Sequence, residues 1–166
     1  APAAVRGLSV AVARVACGAS HMAAASTCGG LFTWGDNTFG TLGHGHVGGR
    51  VAAPQQVVAL RGKFALWPAC GAWHTAVVVW DSEQWHKRQD AGYVFAWGDN
   101  DRGQLGIPGA HRTALPALVE GDLKGVPVHQ VACGETHTAA LAQDGRLFTW
   151  GWDAVSSKQE APCEAG

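Results

Sequence analysis

Val131-Ala132-Cys133-Gly134-Glu135-Thr136-His137-Thr138, followed by Leu147-Phe148-Thr149-Trp150-Gly151, decides the fold of this chain, because most of it occurs three times. The other copies are Cys17-Gly18-Ala19-Ser20-His21 with Trp34-Gly35, and Cys70-Gly71-Ala72-Trp73-His74 with Trp97-Gly98. Cys17 to Cys70 is 53 positions and Cys70 to Cys133 is 63, whereas Trp34 to Trp97 is 63 and Trp97 to Trp150 is 53. The underlying period is therefore 53, with ten extra residues between His74 and Trp97, placed at about 80–91. A period of this size marks stacked copies of one supersecondary unit, a propeller blade or a solenoid turn.

Strands follow from the turns. Cys28-Gly29 and Asp144-Gly145 sit where the middle copy has its insertion, and such dipeptides close hairpins because glycine takes positive φ without a Cβ clash. His137–Leu141 and His74–Val78 precede the turn; Leu31–Trp34, Val94–Trp97 and Leu147–Trp150 follow it. These runs are short, rich in β-branched and aromatic residues, and end at Gly. Pro54–Val58, Pro116–Val119, Val10–Cys17 and Val128–Cys133 supply the remaining strands, about four per period. The expected fold is all-β: propeller blades of four antiparallel strands. A helical solenoid fits poorly, because 23 glycines in 166 residues leave no long stretch with a 3.6-residue apolar stripe.

The repeat covers about three units, while propellers close with four to eight blades, so the expectation is an incomplete propeller belonging to a longer protein or completed by another. Residues 1–152 are read as the propeller segment, and 153–166 as a mobile polar tail without strand signal. Charged residues make up only 15% and the net charge is −1, which lacks the basic stripe of a nucleic-acid binder. No apolar run reaches the length of a membrane span. Cys17, Cys70 and Cys133 lack C-x-x-C spacing and read as small buried thiols, which points to an intracellular compartment, cytoplasm or nucleus.

At this point the residues resemble a family. Trp97-Gly-Asp-Asn-Asp-Arg-Gly-Gln-Leu-Gly106 and Trp34-Gly-Asp-Asn-Thr-Phe-Gly-Thr-Leu-Gly43 are similar to one half of the regulator of chromosome condensation repeat, and Val131–Thr138 resembles the other half. The resemblance covers about residues 8–152 and implies a β-propeller, usually seven-bladed, of which about three blades are present. Three departures stand out: Pro68 replaces the valine of the V-A-C-G half, Thr41 replaces a glutamine, and Trp152 occupies an aspartate position. Pro68 implies a bulge or an edge position, and Trp152 a degenerate last blade.

Residues that recur in every unit are read as holding it together: Cys17, His21, Trp34, Gly35, Cys70, His74, Trp97, Gly98, Cys133, His137, Trp150 and Gly151. Trp fills the wedge between blades. Asn37 and Asn100 hydrogen-bond local backbone, Asp36 and Asp99 serve turns, and His137 with Thr138 bonds across a strand end. His44-Gly45-His46 reads as a solvated loop rather than a metal site. No catalytic order, metal set, phosphate loop or cofactor motif stands out. The non-repeated feature is the insertion, whose Trp80, Trp85, His86, Lys87 and Arg88 are candidates for contacting a protein partner, since Trp and Arg are enriched in interfaces. The expected function is a non-enzymatic scaffold for protein–protein interaction, within a larger protein or complex. The resemblance adds a guanine-nucleotide exchange factor for a Ran-type small GTPase as the alternative. It also adds a tryptophan-based ultraviolet sensor, which Trp73, present in one copy of three, supports poorly.

Overall fold

The computed structural model describes residues 1–81 and 92–152. It holds eleven strands: β1 (Val12–Cys17), β2 (His21–Ser26), β3 (Leu31–Asp36), β4 (Arg50–Gln56), β5 (Lys63–Cys70), β6 (His74–Asp81), β7 (Tyr93–Asp99), β8 (Arg112–Leu118), β9 (Val128–Cys133), β10 (His137–Ala142) and β11 (Leu147–Gly151). Two short 3-10 turns, η1 (Val58–Leu60) and η2 (Gly121–Leu123), follow β4 and β8. The strands form three antiparallel sheets, ordered β1-β2-β3-β4, β5-β6-β7-β8 and β9-β10-β11. These are blades of an incomplete β-propeller, one per sequence repeat, the third with three strands among the described residues. Among those residues no helix is long and apolar enough to cross a membrane.

Each blade repeats its register. His21 lies opposite Gly35, His74 opposite Gly98 and His137 opposite Gly151, so the Cys-Gly turn and the Trp-Gly turn meet at one end of every blade. Gly98 shows why no side chain is admitted there. Its φ is +108°, and a Cβ would lie 2.5 Å from the Trp73 carbonyl and 2.7 Å from the His74 Cα. Gly98→Ala is expected to lower stability by about 1–3 kcal/mol from backbone strain alone, read as a fall in the urea midpoint at unchanged slope.

The outer strands begin earlier than the prolines suggest. β4 starts at Arg50 and β8 at Arg112, leaving Pro54 and Pro116 inside the strand. Both strands lie at the edge of their sheet, where a missing N–H breaks no ladder bond. Pro68 meets both halves of its expectation: β5 is an edge strand, and its register slips between Ala65 and Trp67. At the other end of the chain's order, β1 starts at Val12 rather than Val10.

The core lies between blades. Ala23, Leu31, Val57, Leu60, Val77, Val79 and Trp97 fill the first seam, and Val78, Val94, Leu105, Val119, Leu123, Val131 and Ala140 belong to the second cluster. Alanines on β2 and β10 and Ala76 on β6 let neighbouring sheets approach, and the side chains of each blade finish the core of the next. The innermost strands β1, β5 and β9 add a row of non-repeated contacts: the Arg14 guanidinium lies 3.9 Å above the Trp67 ring, and Trp67 lies 6.2 Å from His129.

Candidate functional site

The repeated His, Thr and Trp form a clamp from blade to blade. Thr75 donates its hydroxyl hydrogen to the Thr41 carbonyl (2.7 Å), and the Trp97 Nε1–H donates to the same oxygen (2.8 Å). Thr75 Oγ1 has one hydrogen, already given, so it accepts from His21 Nε2–H at 2.8 Å. The next seam repeats this: His74 Nε2 to Thr138 (2.8 Å), with Thr138 and Trp150 donating to the Gln104 carbonyl at 2.7 and 2.9 Å. Thr138 therefore bonds to the preceding blade rather than within its own strand end. Because the acceptor is backbone, Thr41 substitutes for glutamine without breaking the clamp. His137 is exposed, with no hydrogen bond to its ring among the described residues.

This clamp buries the two histidines that it engages. His21 and His74 are 1% and 0% exposed, and the Nδ1 atoms of both are buried without a partner. Burial pushes each pKa down to about 4, with Asp36 partly opposing this at His21 and the other histidines adding to it at His74. Burial likewise raises the Cys70 thiol, and raises Cys133 to about 12, so neither supplies a thiolate at neutral pH. Cys17 is exposed rather than buried, since no described blade covers its side of β1, and Cys133 is half-buried. Asn37 and Asn100 close their loops by donating to the carbonyls of His46 and Ala110, and Asp36 accepts from the Thr38 N–H. His44 and His46 stack at 6.3 Å, and no group of three metal-ligating residues occurs among the described residues.

What the repeat does not require lies on the face carrying these turns. Around the innermost strand ends is an open depression of about 420 Å³, bordered by Cys17, Cys70, Cys133, Trp73 and Glu135. Trp73 is 37% exposed and tilts against Phe39 of the preceding blade at 4.9 Å. The Arg112 guanidinium lies 4.8 Å from the Phe39 ring, and its Nη2 stands 3.9 Å from Asp99 Oδ1, which accepts no hydrogen bond. A cation, two aromatic rings and a buried carboxylate thus line up across two blades. Trp73 occupies the place of Ser20 and Thr136 in the other copies, so being unlike its counterparts was the one signal in the sequence. Phe39 and Arg112 had no such signal.

Of the residues predicted to bind a partner, only Trp80 is among the described residues. Trp80 lies on β6 opposite Phe64, half-buried. Trp85, His86, Lys87 and Arg88 lie outside the described residues. β6 runs from His74, next to Trp73, to the base of the insertion, and eight residues of strand span roughly 25 Å. The insertion therefore starts at the opposite end of the blade from the aromatic stack.

Comparison with known proteins agrees with this architecture. The family described as the Regulator of chromosome condensation (RCC1) repeat matches residues 29–78 and 91–141, and a second form of it matches 12–41 and 128–155. The human E3 ubiquitin-protein ligase HERC2 is 36% identical over 137 residues, 82% of this chain and 3% of the relative. The Arabidopsis thaliana Ultraviolet-B receptor UVR8 is 34% identical over 142 residues, 85% of this chain and 30% of the relative. The structure of Prp20p from Saccharomyces cerevisiae, described with its binding properties to Gsp1p and histones, superposes with a TM-score of 0.68 at 25% identity, covering 84% of this chain and 33% of that one. This chain thus spans a third or less of each of these three proteins. With the repeat matched over more than half its length and folded into the corresponding blades, the chain belongs to the regulator of chromosome condensation (RCC1) repeat family.

Proposed function

We propose that this chain is a non-enzymatic platform for a protein partner, bound on the face that carries the Cys-Gly and Trp-Gly turns. The observation that carries this reading is the Arg112–Phe39–Trp73 stack, exposed at a position where blade architecture asks for no aromatic. Trp and Arg dominate interface energetics when they can be desolvated together, and the two rings are held by different blades, so they are pre-positioned. The adjoining depression is shallow and open, suited to a protein loop rather than to an enclosed small molecule.

Affinity capture with the full chain, followed by calorimetry on the purified partner, tests this. Trp73→Ala and Arg112→Ala are each expected to weaken binding by about 2 kcal/mol, about thirtyfold, and thermal unfolding of both variants separates this loss from any loss of folding. Binding that ignores both substitutions sinks the reading. The insertion is a second proposed contact, through Trp85 and Arg88, and deletion of Gln84–Gln89 probes it separately.

Exchange activity is the alternative, favoured by the likeness to Prp20p, whose described partners include Gsp1p. A scaffold leaves release of labelled GDP from a Ran-type GTPase unchanged at catalytic amounts. Acceleration of that release replaces the scaffold reading with the exchange reading.

A further inference from the structure

His44 and His46 sit two residues apart in the loop that joins β3 to β4. Read alone, a histidine pair among glycines is a solvated segment. Folding adds what the sequence did not show: three contacts that fix it. The Asn37 side-chain amide donates to the His46 carbonyl (3.0 Å), the Gly45 N–H donates to the Ala114 carbonyl of β8 (2.9 Å), and the His44 Nε2 meets the Thr33 hydroxyl (3.2 Å).

The Thr33 contact also sets the tautomer of His44. Thr33 is fully buried, and its hydroxyl hydrogen goes to the Leu42 carbonyl at 2.7 Å. The Thr33 oxygen can then only accept, so His44 carries a proton on Nε2 and donates it. In the neutral ring Nδ1 is left as a lone pair, and neither it nor the His46 ring has a hydrogen-bond partner among the described residues. An imidazole whose second nitrogen donates to a fixed oxygen is the arrangement that orients histidine ligands on metals.

The spacing suits one ion. The two rings lie 6.3 Å apart, centre to centre, and 21° from parallel. With metal–nitrogen bonds of about 2.0–2.1 Å, two imidazoles on one ion have ring centres about 4.5–6.4 Å apart, as the angle at the metal opens from square to straight. The observed separation falls at the wide end, and the exposed His46 ring can turn inward to cover the rest. Two nitrogen ligands with water completing the sphere suit nickel, copper or zinc, whereas magnesium and calcium call for oxygen ligands.

We propose that His44 Nδ1 and the His46 ring bind one late first-row divalent metal ion, with water in its other positions. The ion stiffens a segment that already ties the first blade to β8 of the second. Metal binding needs no protein partner, so this proposal and the platform reading can each fail alone.

The test titrates nickel chloride into the full chain, with calorimetry for affinity and stoichiometry and NMR for place. One ion per chain is expected, broadening the His44 and His46 ring signals before those of the other histidines. His46→Ala, which removes no hydrogen bond, is expected to weaken binding about tenfold or more, because it takes away one arm of a chelate. Thr33→Val is expected to weaken binding about tenfold through the lost orientation of His44, and Thr33→Ser to retain it; should the valine variant not fold, His46→Ala decides. Affinity unchanged by His46→Ala, or broadening that starts at another histidine, overturns the proposal. So does the absence of saturable binding.

Discussion

Replacing Trp97 with alanine is expected to cost about 3–5 kcal/mol, a large part of the roughly 5–15 kcal/mol that holds a domain folded. Trp97 is 0% exposed and packs in the seam with Leu31, Val57, Leu60 and Val77. Its removal opens a cavity that two sheets of backbone cannot collapse to fill. The Thr41 carbonyl keeps the Thr75 hydroxyl, so no polar group is orphaned and the loss is mainly one of packing. Two comparisons isolate the cause. Trp97→Phe keeps most of the volume and loses the N–H, and should cost about 1–2 kcal/mol. Trp34 holds the same place in the first blade but is half-buried, with no described blade against it, so Trp34→Ala should cost distinctly less than Trp97→Ala. Urea unfolding of the three variants checks the order; equal losses at Trp34 and Trp97 would show that the seam contributes nothing beyond the blade itself.

Acid should weaken the chain through the same seams. His21 and His74 hold folded pKa values of about 4 against an ordinary value of 6.5. Between those values the unfolded chain binds protons that the folded chain refuses, so unfolding becomes easier as pH falls. The stabilisation is fully present above about pH 6.5. It declines by about 1.4 kcal/mol per pH unit for each histidine down to about pH 4, and levels off below, where the folded form protonates too. Structurally, a second ring proton would sit on Nδ1, where no acceptor exists. Equilibrium unfolding across this window measures the slope. His21→Gln and His74→Gln preserve a donor toward the threonine but do not titrate, so each should flatten the profile by one histidine's share. Profiles that coincide with the unsubstituted chain would remove the histidines as the cause, leaving the carboxylates.

Much of the fold was legible because it is written locally and three times over. Leu-Phe-Thr-Trp-Gly and His-Thr-Ala carry the alternation and the terminal glycine that specify a strand and its end whatever the neighbours are. The outer strands were misplaced at their start for an equally local reason: Pro54 and Pro116 look like boundaries, and only their position at the sheet edge lets a strand run through them. The candidate site was far less legible. Phe39, Trp73 and Arg112 come from three different loops or strand starts, and nothing in their local sequence says that they will stack. The insertion drew attention because it breaks the period, but breaking a period marks a place, not a contact.

The histidines show where the boundary falls. That His21, His74 and His137 occupy one position of the repeat is plain from their spacing. Which threonine His21 and His74 hold is not, since Thr75 and Thr138 lie in the following blade. The unit was legible in the residues alone: four short strands, their turns and the apolar residues they must bury, because these depend on contacts a few residues apart and on backbone preferences of Gly, Pro and β-branched side chains. How the units meet is visible in the folded blades alone: the clamp carbonyls, the burial that depresses two histidines and the aromatic stack. Those features arise from residues tens of positions apart, brought together by the stacking of sheets, and no local pattern encodes the distance between them.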